Sequence, residues 1–205
     1  MNAKTPPPSP PEGGVLLHTC CAPCSAAVIE WLLNNNFRPT LFFFNPNIFP
    51  QEEYEKRKSE LTRYAHAQGL EVIDGDYNHD FWLQEISGLE NEPERGKRCL
   101  QCFKIRLLAT AKLAQKRGFK QIATTLGSSR WKDLEQINEA GRWAVTHVET
   151  WHAASLRTAS LHFNAKNWRK DGLQERRKTL LAENKFYNQT YCGCEFSMKK
   201  NFFSL

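Results

Sequence analysis

Apolar residues in this chain fall into two kinds of run, and the two alternate. Short unbroken runs at Val15–Thr19 and Thr40–Phe44 predict strands buried on both faces. Ser25–Asn34, with Ala26, Ala27, Val28, Ile29, Trp31, Leu32 and Leu33, predicts a helix with a broad apolar surface. Gln51–Gln68 predicts a longer helix stopped by Gly69. A third short strand is expected at Glu71–Ile73, then a short helix and loop over residues 78–89. Glu90–Arg98, with Pro93 and Gly96, is a polar break before a strong helix at Cys99–Arg117 that ends at Gly118. Gln121–Leu126 predicts a fourth strand, Gly127-Ser128-Ser129 a turn, and Lys132–Thr146 a helix. A fifth strand is expected near Thr150–Ala154, and a helix at Leu173–Asn184 within a less periodic final third. This alternation implies one α/β domain, a mostly parallel sheet with flanking helices. In such folds ligands bind at the carboxyl ends of strands, near a switch in strand order. The unusual residues of this chain sit there: His18-Thr19-Cys20-Cys21, Asn45-Pro46-Asn47 and Gly127-Ser128-Ser129.

Composition narrows the setting. The 205 residues are 40% hydrophobic and 24% charged, enough for one real core. No apolar stretch reaches the length of a membrane span, so no membrane partner is expected. Residues 1–14 hold five of the ten prolines and read as a disordered tail, leaving residues 15–205 as the folded, catalytic part. The N-terminus lacks the pattern of a secretory signal, which points to the cytoplasm. In that reducing compartment, close cysteines are metal ligands or redox groups more often than structural disulfides. The net charge of +6 lies in residues 151–205, with ten basic and four acidic side chains. Arg157, Lys166, Arg169, Lys170, Arg176, Arg177 and Lys178, with Trp168 among them, suit phosphate contact and base stacking on RNA. A solvated basic face, with Trp168 in the core, is the plainer alternative.

Six of the seven cysteines form three tight clusters, and the seventh lies inside one of them. Cys20-Cys21-Ala22-Pro23-Cys24 occupies a strand-to-helix turn, where free backbone N–H groups and the helix dipole favour thiolate. Adjacent cysteines are too close for an ordinary disulfide but can ligate different metal atoms. Cys99-Leu100-Gln101-Cys102 opens a helix with the spacing of a metal site or a reactive dithiol. Spacing alone does not separate zinc from an iron-sulfur cluster. In Cys192-Gly193-Cys194 a disulfide would close a very small, strained and easily reduced ring, with Gly193 supplying backbone freedom.

The ordered set His18-Thr19-Cys20-Cys21-Ala22-Pro23, Asn45-Pro46-Asn47-Ile48 with Glu53-Tyr54 and Arg57, Arg98-Cys99-Leu100-Gln101-Cys102 with Arg106-Leu107, Thr124-Thr125-Leu126 and Gln189-Thr190-Tyr191-Cys192-Gly193-Cys194 resembles the QueH-type epoxyqueuosine reductases over residues 15–197. The resemblance implies a sheet of the adenine nucleotide alpha-hydrolase (HUP-like) type. It implies the last step of queuosine synthesis, reduction of epoxyqueuosine to queuosine at the tRNA wobble nucleotide. It further implies a [4Fe-4S] cluster on Cys20, Cys21, Cys99 and Cys102, a redox-active disulfide at Cys192 and Cys194, and an external electron donor. No cobalamin is expected. Cys24 stands where some members carry Asp, and could be a ligand to an additional mononuclear metal, an alternative cluster ligand or a bystander. Ser128-Ser129 replaces a Ser-Pro common in the family.

His18 is a candidate proton donor to the leaving oxygen or a packed histidine. Asn45, Asn47, Glu53, Tyr54 and Arg57 are candidates to line the cleft, Glu53 and Arg57 being alternatively an i,i+4 surface pair. Two other functions compete. One is a zinc-binding structural or RNA-binding module. The other is an ATP-dependent tRNA-thiolating enzyme, whose glycine-bearing phosphate loop is missing at Cys20–Ser25.

Overall fold

The computed structural model describes residues 14–151 and 160–201. Five strands form one all-parallel sheet: β1 (Val15–Thr19), β2 (Pro39–Phe43), β3 (Val72–Asp74), β4 (Gln121–Thr124) and β5 (His162–Phe163). Seven helices are described: α1 (Ala22–Asn34), α2 (Gln51–Ala67), α3 (His79–Glu85), α4 (Lys97–Arg117), α5 (Leu134–Trp151), α6 (Leu173–Glu183) and α7 (Glu195–Asn201). The strand order is β3-β2-β1-β4-β5. The chain therefore builds outward from β1 to one edge, then returns to β1's other side with β4. The order reverses between β1 and β4, the switch point at which an α/β sheet opens a crevice.

Alternation along the strands divides the core. Val15, Leu17, Leu41 and Phe43 pack against α1, α2 and α6, joining Ile29, Tyr54, Leu61 and Leu180. Leu16, Phe42 and Ile122 face the other way, onto Phe103 and Leu107 of α4 and Ile137 and Ala140 of α5. Sheet residues of period two thus feed two helical layers. Gly118 ends α4 with φ +77°, a left-handed conformation that costs a glycine little.

Two boundaries differ from expectation for physical reasons. α1 begins at Ala22, not Ser25, because Pro23 is preset for a first helical turn. The expected fifth strand at Thr150–Ala154 is not one: Thr150 and Trp151 continue α5, and residues 152–154 lie outside the described residues. β5 is His162–Phe163, paired with Gln121 and Ile122. The tail at 1–14 lies outside the described residues apart from Gly14. Among the described residues no helix is long and apolar enough to cross a membrane.

Candidate active site

The crevice at the switch point is a cavity of about 590 Å³, and all seven cysteines line it. They arrive from three places. The first group sits where β1 turns into α1, with Cys21 as N-cap and Cys24 in the first turn. The second opens α4, where Gly96 is the N-cap and Cys99 lies in the first turn. The third precedes α7. Two helix N-termini, of nearly six turns in α4 and three to four in α1, thus direct their positive ends at the same cavity, favouring anionic sulfur against the burial that raises most of these thiols.

The sulfurs of Cys20, Cys21 and Cys24 lie within 4.8 Å of one another, a spacing that suits shared metal ligation. Cys20 and Cys21 are 3.8 Å apart, and Thr125 Oγ1 is 3.9 Å from Cys20. Hydrogen bonds from Cys21 and then Cys24 hold Cys20 well below the ordinary thiol range. The same contacts push Cys21 up. Across the cavity, burial pushes Cys99 up to about 11 and raises Cys102 as well. Cys99 and Cys102 face the same space but fall outside the close trio. Cys24, left without an assigned role by sequence, is inside it. A four-iron cluster is larger than one ion, so its ligands need not touch, and the donor set fits either a cluster or a single metal.

All seven cysteines are free thiols, so the Cys192–Cys194 disulfide expected from the resemblance is not formed. The two side chains enter different surroundings. Cys194 packs with Trp82, Ile86 and Cys102, and burial pushes its thiol up to about 12. Cys192 is half-buried. Gly193 between them has φ +107°, and Phe49 N–H donates to its carbonyl at 2.8 Å.

Arg57 fixes this loop from α2. Its Nη1 donates to Cys192 O at 3.1 Å, its Nη2 to Tyr191 O at 3.2 Å and its Nε to Glu53 Oε1 at 2.7 Å. Glu53 and Arg57 were open to a reading as a surface pair; their side chains are 10% and 4% exposed, and they brace the loop bearing Cys192 and Cys194 instead. Asn47 is buried at the cavity wall, and neither atom of its amide has a hydrogen-bond partner among the described residues. A buried polar group left open in this way is positioned for a ligand.

Other expected site residues have structural work. His18 is fully buried, with Nδ1 2.9 Å from Thr124 Oγ1 and Nε2 3.1 Å from Phe44 O. Burial, then the Arg106 charge, pushes its pKa down to about 3. Arg106 Nε also points at Nε2, at 3.4 Å, and His18 is a neutral packed histidine outside the cavity lining. Asn45 ties Thr19 O at 2.9 Å and accepts from Arg106, and Tyr54 is buried with its hydroxyl near Asp74 and Gly75.

The basic C-terminal third also divides. Trp168 is 1% exposed, donates Nε1–H to Thr124 O at 2.9 Å and packs edge-on to Trp31; it is core. Arg176 is paired with Glu30 and Glu183, and Lys166 with Asp171. Arg169 binds backbone carbonyls of Gly127, Ser129 and Lys132. Arg177 and Lys178 do line the cavity. Arg157 lies outside the described residues. Sequence reading missed Lys132, a half-buried cavity lysine. Burial alone would lower it, but Cys192, Cys20 and Cys24 outweigh this and hold its ammonium charged. Only its place just after the Gly-Ser-Ser turn could have pointed to it.

Comparison with known proteins agrees with this arrangement. The family model described as Epoxyqueuosine reductase QueH matches residues 15–200. A relative named Epoxyqueuosine reductase QueH from Acinetobacter baylyi is 42% identical over 185 residues, 90% of this chain and 80% of the relative. Its namesake from Haemophilus influenzae is 41% identical, covering 90% and 71% of the two chains. That from Thermotoga maritima is 35% identical over 91% of each. With a cysteine-lined switch-point crevice and a family match over residues 15–200, one assignment is left: the chain belongs to the QueH epoxyqueuosine reductase family.

Proposed function

We propose that this protein reduces the epoxide of epoxyqueuosine in tRNA to queuosine, with a [4Fe-4S] cluster held by Cys20, Cys21, Cys99 and Cys102 and a redox dithiol at Cys192 and Cys194. The observation that carries it is the convergence of all seven cysteines, from three segments of a matched family sequence, on one cavity. Residues 15–205 form the catalytic unit, working in the cytoplasm, and residues 1–14 lie outside it.

Opening an epoxide to an alkene consumes two electrons and two protons and releases the oxygen as water. A dithiol oxidised to a disulfide supplies two of each, so the exchange at Cys192 and Cys194 balances. An external reductant of unknown identity then restores the thiols. A bound cluster would supply electron transfer and Lewis-acid polarisation of the epoxide oxygen. The chain's own residues do the rest. Arg57 and Phe49 hold the dithiol loop at a fixed place on the cavity wall. Lys132 contributes a fixed positive charge among the thiols, where negative charge develops on the departing oxygen. Asn47 offers one donor and one acceptor to a polar substrate group. Cys24 is free to hold an additional metal ion next to the cluster.

The test is anaerobic purification with iron and sulfide analysis, then turnover on tRNA bearing epoxyqueuosine. Iron and acid-labile sulfide together with queuosine formation are the expected result. Zinc without sulfide, or no conversion with a low-potential donor, would overturn the proposal. Cys192→Ser should stop multiple turnovers; sustained turnover would remove the dithiol from the reaction.

A further inference from the structure

The cavity mouth carries a feature that neither the chemistry nor the fold uses. Trp131 is 67% exposed, more than Phe49 at 41% or Phe81 at 39%, and it lines the cavity. Its loop is not loose. Arg95 donates Nε–H to Trp131 O at 2.9 Å and Nη2–H to Arg130 O at 3.2 Å. From the other side Arg169 donates to Ser129 O and Lys132 O, both at 2.6 Å, and to Gly127 O at 3.0 Å. Two arginines therefore take up the backbone carbonyls of the loop, while its indole is left in water. Arg95 also places its backbone N–H 3.3 Å from Cys99 Sγ, so the same residue joins this loop to the thiols.

A large apolar ring held rigidly in water is costly for folding and useful for binding. Its surroundings specify the partner. The Arg130 guanidinium lies 4.8 Å from the indole centroid. Arg95, Lys132, Arg177 and Lys178 line the same cavity, outnumbering the carboxylates Glu94 and Asp133. An aromatic face among cations matches an unpaired base with its phosphates. We propose that Trp131 is the stacking platform for an unpaired RNA base next to the nucleotide whose modification enters the cysteine cavity. This rests on the reading of tRNA as substrate and names where the anticodon loop is gripped. The pre-formed loop means that binding need not order the platform, so the stack is worth its full value.

The experiment compares the full-chain holoenzyme with Trp131→Ala, Trp131→Phe and Trp131→Leu. Binding of a fluorescent synthetic anticodon stem-loop is followed by anisotropy over a series of salt concentrations. Trp131→Ala should weaken binding about 5- to 150-fold, the range of one base–aromatic stack. Trp131→Phe should recover most of the loss and Trp131→Leu little of it, and KM for the modified tRNA should rise in step. The salt dependence should keep its slope, since no charge is removed. Wild-type affinity in Trp131→Ala would overturn the proposal, as would equal rescue by Leu and Phe. A flattened salt slope would show that the residue acts only by placing arginines, and would also overturn it. If the wild-type holoenzyme binds no stem-loop, the tRNA reading itself fails, a result distinct from a silent Trp131→Ala. Retention of an acidic protein by Trp131 with no RNA binding would reassign the platform to a protein partner and reject the proposal.

Discussion

Removing Arg57 tests whether the loop bearing Cys192 and Cys194 is held by charge rather than by packing. In Arg57→Met the side chain keeps its length and apolar bulk but loses every donor. Three bonds go: to Glu53 at 2.7 Å, to Cys192 O at 3.1 Å and to Tyr191 O at 3.2 Å. Glu53 then keeps only the Tyr187 hydroxyl, at 3.2 Å, for a carboxylate 10% exposed. Breaking one side of a buried ion pair costs about 3–5 kcal/mol, mostly through the charge left behind. The two carbonyls border the cavity, where water can reach them, so they add little further. We expect Arg57→Met to lose about 3–5 kcal/mol in urea unfolding of the metal-free protein, with the m-value unchanged. Glu53→Gln combined with Arg57→Met removes the orphaned charge and should cost only about 2–3 kcal/mol, the residue of the lost hydrogen bonds. Turnover should fall in both variants, because the Cys192 loop is unbraced in both. A single variant within about 1 kcal/mol of wild type would refute the reasoning, as would a double variant no better than the single.

Gly193→Ala places a Cβ 3.0 Å from Arg57 Nη1 and Ile48 Cγ1 at a residue with φ +107°. It should destabilise by about 1–3 kcal/mol and reduce turnover, measured by urea unfolding and by queuosine formation. Cys20→Ser and Cys99→Ser should each lose most iron and sulfide after anaerobic reconstitution, whereas Cys24→Ser should keep four irons per chain, on the order expected for one [4Fe-4S] cluster. Loss in Cys24→Ser with retention in Cys99→Ser would instead make the close trio the ligand set. Trp168→Phe should cost about 1–2 kcal/mol through the lost bond to Thr124 O, yet bind the anticodon stem-loop as wild type does. A selective loss of RNA affinity there would return Trp168 to the interface.

Strand positions and site placement were legible because β1, β2 and β4 are short apolar runs, and because buried parallel strands write themselves that way; the strand order was not. The cysteines were legible because their spacing is unusual in any context. Residues whose importance depends on contacts far away in sequence were not. Arg57 and Glu53 look like an ordinary helical pair until the loop from residue 191 is laid across them. Trp168 was open to both a base-stacking and a core reading because basic neighbours surround it in sequence, and in space it meets Trp31 and the end of β4. Trp131 and Lys132 carry no motif, and only the folded loop separates an exposed tryptophan from a buried one. β5 was misplaced because a two-residue strand leaves almost no periodicity to read.

The gathering of thiols from three distant segments around one cavity has a consequence during synthesis. Cys20, Cys21 and Cys24 leave the ribosome first, yet their cavity is closed by Cys192 and Cys194, near the end of the chain. At the usual elongation rates of about 5–20 residues per second, the first thiols wait roughly 10–30 s for the last. Cys99 and Cys102 emerge midway, so the thiols of the first two groups must stay reduced until the segment bearing Cys192 and Cys194 arrives to complete the cavity lining.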